Sequence, residues 1–195
     1  MNMKSVCLFC GSNKGQRPEY ITAAADFGRT LAEQGITLVY GAGKVGLMGV
    51  AADAALAAGG KVIGVIPEFL KAKEVAHLGL TELHVTDTMH QRKALMAELA
   101  DGFVALPGGF GTFDELFEIL TWAQLAVHDK PVGLLDVAGF YQPLLALTRH
   151  AVAEGFVPAS NMELFSHSSD ILTLLDTMRN YQPRHTAKWL DLAHT

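Results

Sequence analysis

At 195 residues, half of them apolar, the chain is long enough to bury the core of a single domain. A net charge of −5 with no block of Lys or Arg excludes a broad nucleic-acid-binding face. The first apolar run, after Met1-Asn2-Met3-Lys4-Ser5, is only about six residues long, too short for a secretory core. No stretch reaches the roughly 18 apolar residues of a membrane span, so the chain is expected to be soluble and cytoplasmic, with no membrane partner.

Strand-like and helix-like runs alternate along the chain. Ser5–Cys10 opens as a buried strand. It carries Cys7 and Cys10 in a Cys-x-x-Cys spacing, which could signal a redox pair or half a zinc site. Residues three apart in a strand point to opposite faces, so the thiols are expected not to meet. A helix follows at Pro18–Gln34, with Pro18 in the first turn and Gly35 just past the end. Next come a strand at Ile36–Tyr40, a helix at Leu47–Ala58 closed by Gly59-Gly60, and a strand at Val62–Ile66. Glu68–Leu80 is the least regular stretch and is expected to form a loop over the site. Leu83–Val85 reads as a strand, Met89–Leu99 as a helix, Gly102–Leu106 as a strand and Thr112–Val127 as a helix. Val132–Leu135 is a strand, with helices at Phe140–Glu154 and Ser169–Tyr181 and a peripheral tail, 183–195, carrying Trp189 and Leu190.

The strand runs are apolar throughout rather than alternating, as in a parallel sheet covered on both faces. The βαβ rhythm predicts one doubly wound α/β domain over 1–195, Rossmann-like, with helices on both faces. Ligands in such folds sit at the carboxyl ends of the strands near a topological switch point. Three glycine-bearing turns fall at such ends: Gly11-Ser12-Asn13, Gly41-Ala42-Gly43 and Pro107-Gly108-Gly109-Phe110-Gly111-Thr112.

Gly41-Ala42-Gly43-Lys44-Val45-Gly46 matches the dinucleotide pattern G-x-G-x-x-G, with Glu68 about 20 residues on. It follows the second strand rather than the first, and the scheme leaves residues 107–112 without a role, so a dinucleotide is disfavoured. The 107–112 turn is the stronger signal. An apolar strand runs into three glycines and then an amphipathic run, where free N–H groups and the helix dipole favour an anion. Thr112-x-x-Glu115 is also the pattern of a capping box. A capping box needs none of the preceding glycines, which open the backbone to a ligand. Arg92-Lys93 sits early in a helix, where cations oppose the dipole. The pair reads either as a solvated basic face or as an answer to an anion. The eight histidines show no metal-ligand spacing, and neither a Gly-x-Ser-x-Gly elbow nor a Walker loop occurs.

Together these residues resemble a known family. Pro107-Gly108-Gly109-Phe110-Gly111-Thr112-Phe113-Asp114-Glu115 is similar to the P-G-G-x-G-T-x-x-E motif of the LONELY GUY family. Phe9-Cys10-Gly11-Ser12, Tyr40-Gly41-Ala42-Gly43, Gly46-Leu47-Met48-Gly49 and Met89-His90-Gln91-Arg92-Lys93 stand in the family's order, so the resemblance spans roughly residues 5–180. These are cytokinin riboside 5′-monophosphate phosphoribohydrolases, often mislabelled lysine decarboxylases. The resemblance implies hydrolysis of the N-glycosidic bond of an adenosine-type 5′-monophosphate to base and ribose 5-phosphate. It implies AMP nucleosidase activity as well, with no metal and no organic cofactor. It also implies a homodimer with the site near the subunit interface.

Arg92 and Glu115 become the implied catalytic pair, with Glu115 on the ribose hydroxyls and Gly108, Gly109, Gly111 and Thr112 around the 5′-phosphate. Gly11, Ser12, Gly43, Glu74, Met89, Lys93, Phe110, Phe113, Asp114 and Thr121 complete the implied substrate-binding set. The chemistry suits the residues. Cleavage builds positive charge on the ribose, which a fixed carboxylate stabilises, while the remote phosphate orients the substrate. A non-catalytic nucleotide sensor or carrier is the alternative, and Glu115 with Arg92 argues against it. A pyridoxal-phosphate decarboxylase needs a Schiff-base lysine, and Lys44, Lys61, Lys93 and Lys130 offer no recognisable context for one.

Overall fold

The computed structural model describes residues 3–71 and 76–183. Seven strands form one sheet: β1 (Ser5–Phe9), β2 (Thr37–Tyr40), β3 (Val62–Pro67), β4 (Glu82–Thr86), β5 (Gly102–Ala105), β6 (Val132–Leu135) and β7 (Ser166–Ser168). Their order is β4-β3-β2-β1-β5-β6-β7 and every pairing is parallel. Leu8 of β1 stands opposite both Tyr40 and Val104. The chain steps outward from β1 to β4, then returns to the other side of β1 for β5. The switch point therefore lies between β1 and β5.

Long helices cover both faces because the central strands are apolar on both. The helices are α1 (Pro18–Glu33), α2 (Gly46–Ala57), the short α3 (Glu68–Lys71), α4 (Met89–Leu99), α5 (Phe110–Gln124), α6 (Gln142–Ala153) and α7 (Ile171–Arg179). One core layer joins α1, α2 and α7 to the sheet through residues such as Phe27, Leu31, Ala51 and Leu174. The other joins α4, α5 and α6 through Met96, Leu116, Ile119 and Leu145. Burial of this apolar area is the main stabilising term, about 25 cal/mol for each Å² removed from water.

The two cysteines fall in different layers, Cys10 with the first and Cys7 with the second, and both are free thiols. Strand alternation separates them, so the spacing carries no redox pair. Two elements differ from the sequence expectation. β7 is a three-residue polar edge strand, Ser166-His167-Ser168, whose pairing to β6 is set by tertiary contact rather than by any apolar pattern. The irregular stretch after β3 begins with the single turn of α3.

His128 fastens the end of α5. Its Nε2 meets the Ile119 carbonyl at 3.0 Å, and its Nδ1 accepts the Lys130 N–H at 3.1 Å. That pair of contacts requires the neutral ring protonated at Nε2. Burial first, then the nearby Lys130 charge, hold its pKa below the usual histidine range against the Ile119 bond and Asp129.

Candidate active site

A cleft of about 560 Å³ opens at the carboxyl ends of β1 and β5, at the switch point. It is lined by Gly11 and Ser12, by Leu47 and Met48 of α2, by Met89 and Arg92 of α4, and by the turn 107–112 with Asp114 and Glu115. Backbone hydrogen bonds lock these turns together. Gly11 N–H donates to Pro107 O at 3.0 Å, Leu47 N–H donates to Gly11 O at 3.0 Å, and Leu106 N–H donates to Phe9 O at 2.9 Å.

The start of α5 corrects the capping-box expectation. The helix begins at Phe110, with Gly109 at the N-cap and no side chain capping it. Thr112 is already the third helical residue and is buried, and Glu115 lies a full turn inside the helix. The first helical hydrogen bond runs from Phe113 N–H to Gly109 O at 3.0 Å. The N–H groups of residues 110–112 have no helical acceptor and lie at the positive end of the dipole. The three glycines divide the work. A Cβ on Gly108 would strike the Thr112 side chain and come within 2.9 Å of Gly11 N, so Gly108 lets two turns pack. A Cβ on Gly109 or Gly111 would meet nothing within 4 Å, so these two face open space that a ligand can occupy.

A true capping box stands at the other helix start. Thr88 Oγ1 accepts the Gln91 N–H at 3.1 Å, and Gln91 Oε1 accepts the Thr88 N–H at 3.2 Å. Four residues in, Arg92 is 5% exposed, which replaces the solvated-face reading. A buried cation is costly unless its hydrogen bonds are met. Nε donates to Val65 O at 3.2 Å and Nη2 to Gly41 O at 3.3 Å, so the guanidinium ties α4 to the ends of β3 and β2. Gly41 is glycine because a Cβ there would overlap this guanidinium. Glu115 of α5 and Arg92 of α4 both line the cleft. The Cys7 thiol is pushed well up first by burial, then further by Glu115, while Arg92 pulls it down. Burial and then Glu115 likewise push up the Cys10 thiol, which lines the cleft and stays protonated.

Of the implied substrate-binding residues, Gly11, Ser12, Met89, Arg92, Gly108, Gly109, Phe110, Gly111, Thr112, Asp114 and Glu115 line this cleft. Four others stand outside its wall in a single chain. Gly43 is buried against Met48 and bridges to Ala76. Phe113 packs on Phe140, ring centroids 6.4 Å apart. Lys93 joins α4 to α5 through Asp114 at 3.1 Å and Glu118 at 3.0 Å. Burial pulls its pKa down, but these two carboxylates outweigh it and hold the amine above its ordinary value. Thr121 is exposed and donates to Phe117 O at 2.7 Å. Glu74 lies outside the described residues. The motifs did not reveal Lys14, Tyr20, Leu70 or Phe140, which also line the cleft. Lys14 follows the first turn directly. Leu70 comes from the short α3, and Phe140 follows the turn at Gly139. Among the described residues no three His, Cys, Asp or Glu side chains gather to hold a metal, and no helix is long and apolar enough to cross a membrane.

A doubly wound α/β fold with an uncapped glycine turn, a carboxylate and a buried arginine at its switch point defines a class of small-ligand proteins rather than one member. Comparison narrows the class. A family model described as "Possible lysine decarboxylase" matches residues 48–178. The cytokinin riboside 5′-monophosphate phosphoribohydrolase of Rhodococcoides fascians is 55% identical over 155 residues, covering 79% of this chain and 78% of that protein. The probable cytokinin riboside 5′-monophosphate phosphoribohydrolase LOGL9 of Oryza sativa subsp. japonica is 48% identical over 180 residues, covering 92% and 79%. The enzyme of that name, LOG1, of Arabidopsis thaliana is 44% identical over 182 residues, covering 93% and 85%. The chain belongs to the LONELY GUY family. The Moco carrier protein of Chlamydomonas reinhardtii shares the fold, with a TM-score of 0.67 at 22% identity over 90% of this chain and 95% of that one.

Proposed function

We propose that this protein hydrolyses the N-glycosidic bond of an adenosine-type 5′-monophosphate, N6-prenylated or plain, releasing the free base and ribose 5-phosphate. The observation that carries this reading is the pairing, in one cleft, of an uncapped α5 start with the Glu115 carboxylate and the buried Arg92. The phosphate sits on the N–H groups of residues 110–112, and the ribose extends toward Glu115. As the C1′–N bond breaks, its electron pair leaves with the base and positive charge grows on the ribose. The Glu115 carboxylate stabilises that charge most strongly in the transition state. Water oxygen then bonds to C1′, one of its protons is lost, and the departing base nitrogen takes up a proton. Arg92, anchored on the Val65 and Gly41 carbonyls, lines the same cleft as Glu115. Similarity to the named phosphoribohydrolases supports the substrate class.

A lysine decarboxylase is not supported. Lys14, at the exposed rim, is the one lysine lining the cleft among the described residues, whereas a Schiff-base lysine sits desolvated against its cofactor. The protein acts as a cytoplasmic homodimer in this reading. Phe110 is 92% exposed at the cleft mouth, and Phe117 and Leu125 continue an apolar stripe down α5 past Thr121. A second copy on that stripe brings Thr121 close to a cleft it does not line alone.

The test is to incubate the protein with AMP and with isopentenyladenosine monophosphate and follow free base by chromatography. Base release from at least one, lost in Glu115→Gln, is the expected result. Tight nucleotide binding with no base from either substrate would make it a carrier instead.

A further inference from the structure

The corner between β6 and α6 lies behind the glycine turn. It is built around polar contacts that the reaction itself does not use. Tyr141 is fully buried, and its hydroxyl donates to Leu106 O at 2.7 Å. Leu106 is the last residue before Pro107-Gly108-Gly109, one step beyond the end of β5. The Tyr141 N–H donates to Asp136 Oδ1 at 2.7 Å, and the other Asp136 oxygen accepts from Gln142 Nε2 at 2.5 Å. Asp136 is itself buried, so its two acceptor bonds hold the corner in one geometry. Burial, then Cys10 and Asp136, push the Tyr141 pKa upward, so the hydroxyl remains a donor. Phe140, next in the chain, walls the cleft and stacks on Phe113 of α5.

An aromatic core residue needs no hydroxyl, and a buried one is retained at a cost unless it meets a partner. Here the partner is the carbonyl from which the turn springs. The turn has no side-chain cap to fix it. Its start is held by two neighbouring contacts: Gly11 N–H on Pro107 O, and the Tyr141 hydroxyl on Leu106 O.

We propose that Tyr141 is a positioning residue for the phosphate seat: its hydroxyl fixes the Leu106 carbonyl and so aims the N–H groups of residues 110–112 into the cleft. The proposal rests on the phosphate-seat reading above and extends it to a residue outside the cleft.

The experiment compares wild type with Tyr141→Phe, which removes one oxygen and keeps the ring. Calorimetric titration with ribose 5-phosphate gives Kd without turnover, and KM and kcat are measured on AMP. A rise of about tenfold in both Kd and KM, with kcat changed less than about threefold, is expected for a seat aimed slightly wrong. A lower Tm with Kd and KM unchanged would make the bond merely structural and overturn the proposal. Wild type that binds ribose 5-phosphate but releases no base sinks the hydrolase reading while the Kd comparison still decides Tyr141. Wild type that binds no ribose 5-phosphate removes the seat and this proposal together. If Tyr141→Phe does not fold, Asp136→Asn replaces it, keeping Oδ1 as acceptor for Tyr141 N–H but disturbing Gln142. A rise of two- to threefold in Kd is then expected, and an unchanged Kd contradicts the proposal.

Discussion

Two helices start on the same face of the sheet with nearly the same sequence pattern, and they do opposite things. At α4, Thr88-Met89-His90-Gln91 closes a reciprocal cap that satisfies the helix's own N–H groups. At α5, Thr112-Phe113-Asp114-Glu115 has the same spacing. The helix nevertheless starts three residues before that pattern would place it, at Phe110, on an uncapped glycine. Gly108 makes the difference: it leaves room for the threonine side chain, which becomes a buried packing residue inside the helix. The glutamate is thereby released from capping and stands in the cleft wall. Where a helix start is capped, it stabilises the fold. Where it is left open beside a carboxylate, it is available for a ligand.

That contrast can be broken at either end. The largest effect is expected at the cleft carboxylate, Glu115. Glu115→Gln should lower kcat on AMP by roughly 10²–10³-fold with little change in ribose 5-phosphate affinity, the cost of losing one electrostatic stabiliser. Stopped base release with equally weakened binding would point to a collapsed cleft instead. Next comes Gly109→Asp, which places a capping carboxylate where a phosphate would sit. Gly109 has φ −103° and open space at its Cβ, so the residue fits without strain. KM should rise roughly 100-fold through charge repulsion while stability holds or improves by a few tenths of a kcal/mol. At the capped helix, Thr88→Ala should cost about 1 kcal/mol, lowering Tm by about 2–4 °C, with KM within about twofold. A large KM effect there would show that α4's cap also shapes the site.

The smallest effect tests the far end of α5. The His128 pKa is lowered in the folded chain, so the unfolded chain binds the proton more readily below the ordinary histidine value near 6.5. Its contribution is present above that value and is lost as pH falls through it toward the lower folded pKa. Protonating Nδ1 would also set a donor against the Lys130 N–H. A Tm that falls more from pH 7.5 to 5.5 in wild type than in His128→Gln is expected, and parallel curves would contradict the assignment.

Much of the fold was legible because burial writes itself into strand composition. β1, β2, β5 and β6 are apolar on both faces, and each ran within one or two residues of the expected bounds. β7 was not, because Ser166-His167-Ser168 owes its place to pairing at an edge. The site was legible wherever it is made of backbone, since glycines mark close approach. It was less so where a side chain is defined by what lies across the cleft. Arg92 could also be read as a surface cation until its carbonyl partners, Gly41 O just past β2 and Val65 O on β3, were in place. Lys93, its neighbour, turns to Asp114 and Glu118 rather than into the cleft. Phe140 and Tyr141 gave no local signal, because their roles depend on a strand end about 35 residues away in sequence.

The central claim is that the α5 start is left uncapped in order to hold a phosphate. Titrating wild type and Gly109→Asp with ribose 5-phosphate, with Tm measured on the same samples, tests it most directly. The variant is expected to be as stable as wild type or slightly more so and to have lost ribose 5-phosphate binding. A variant that binds ribose 5-phosphate as wild type does would contradict it.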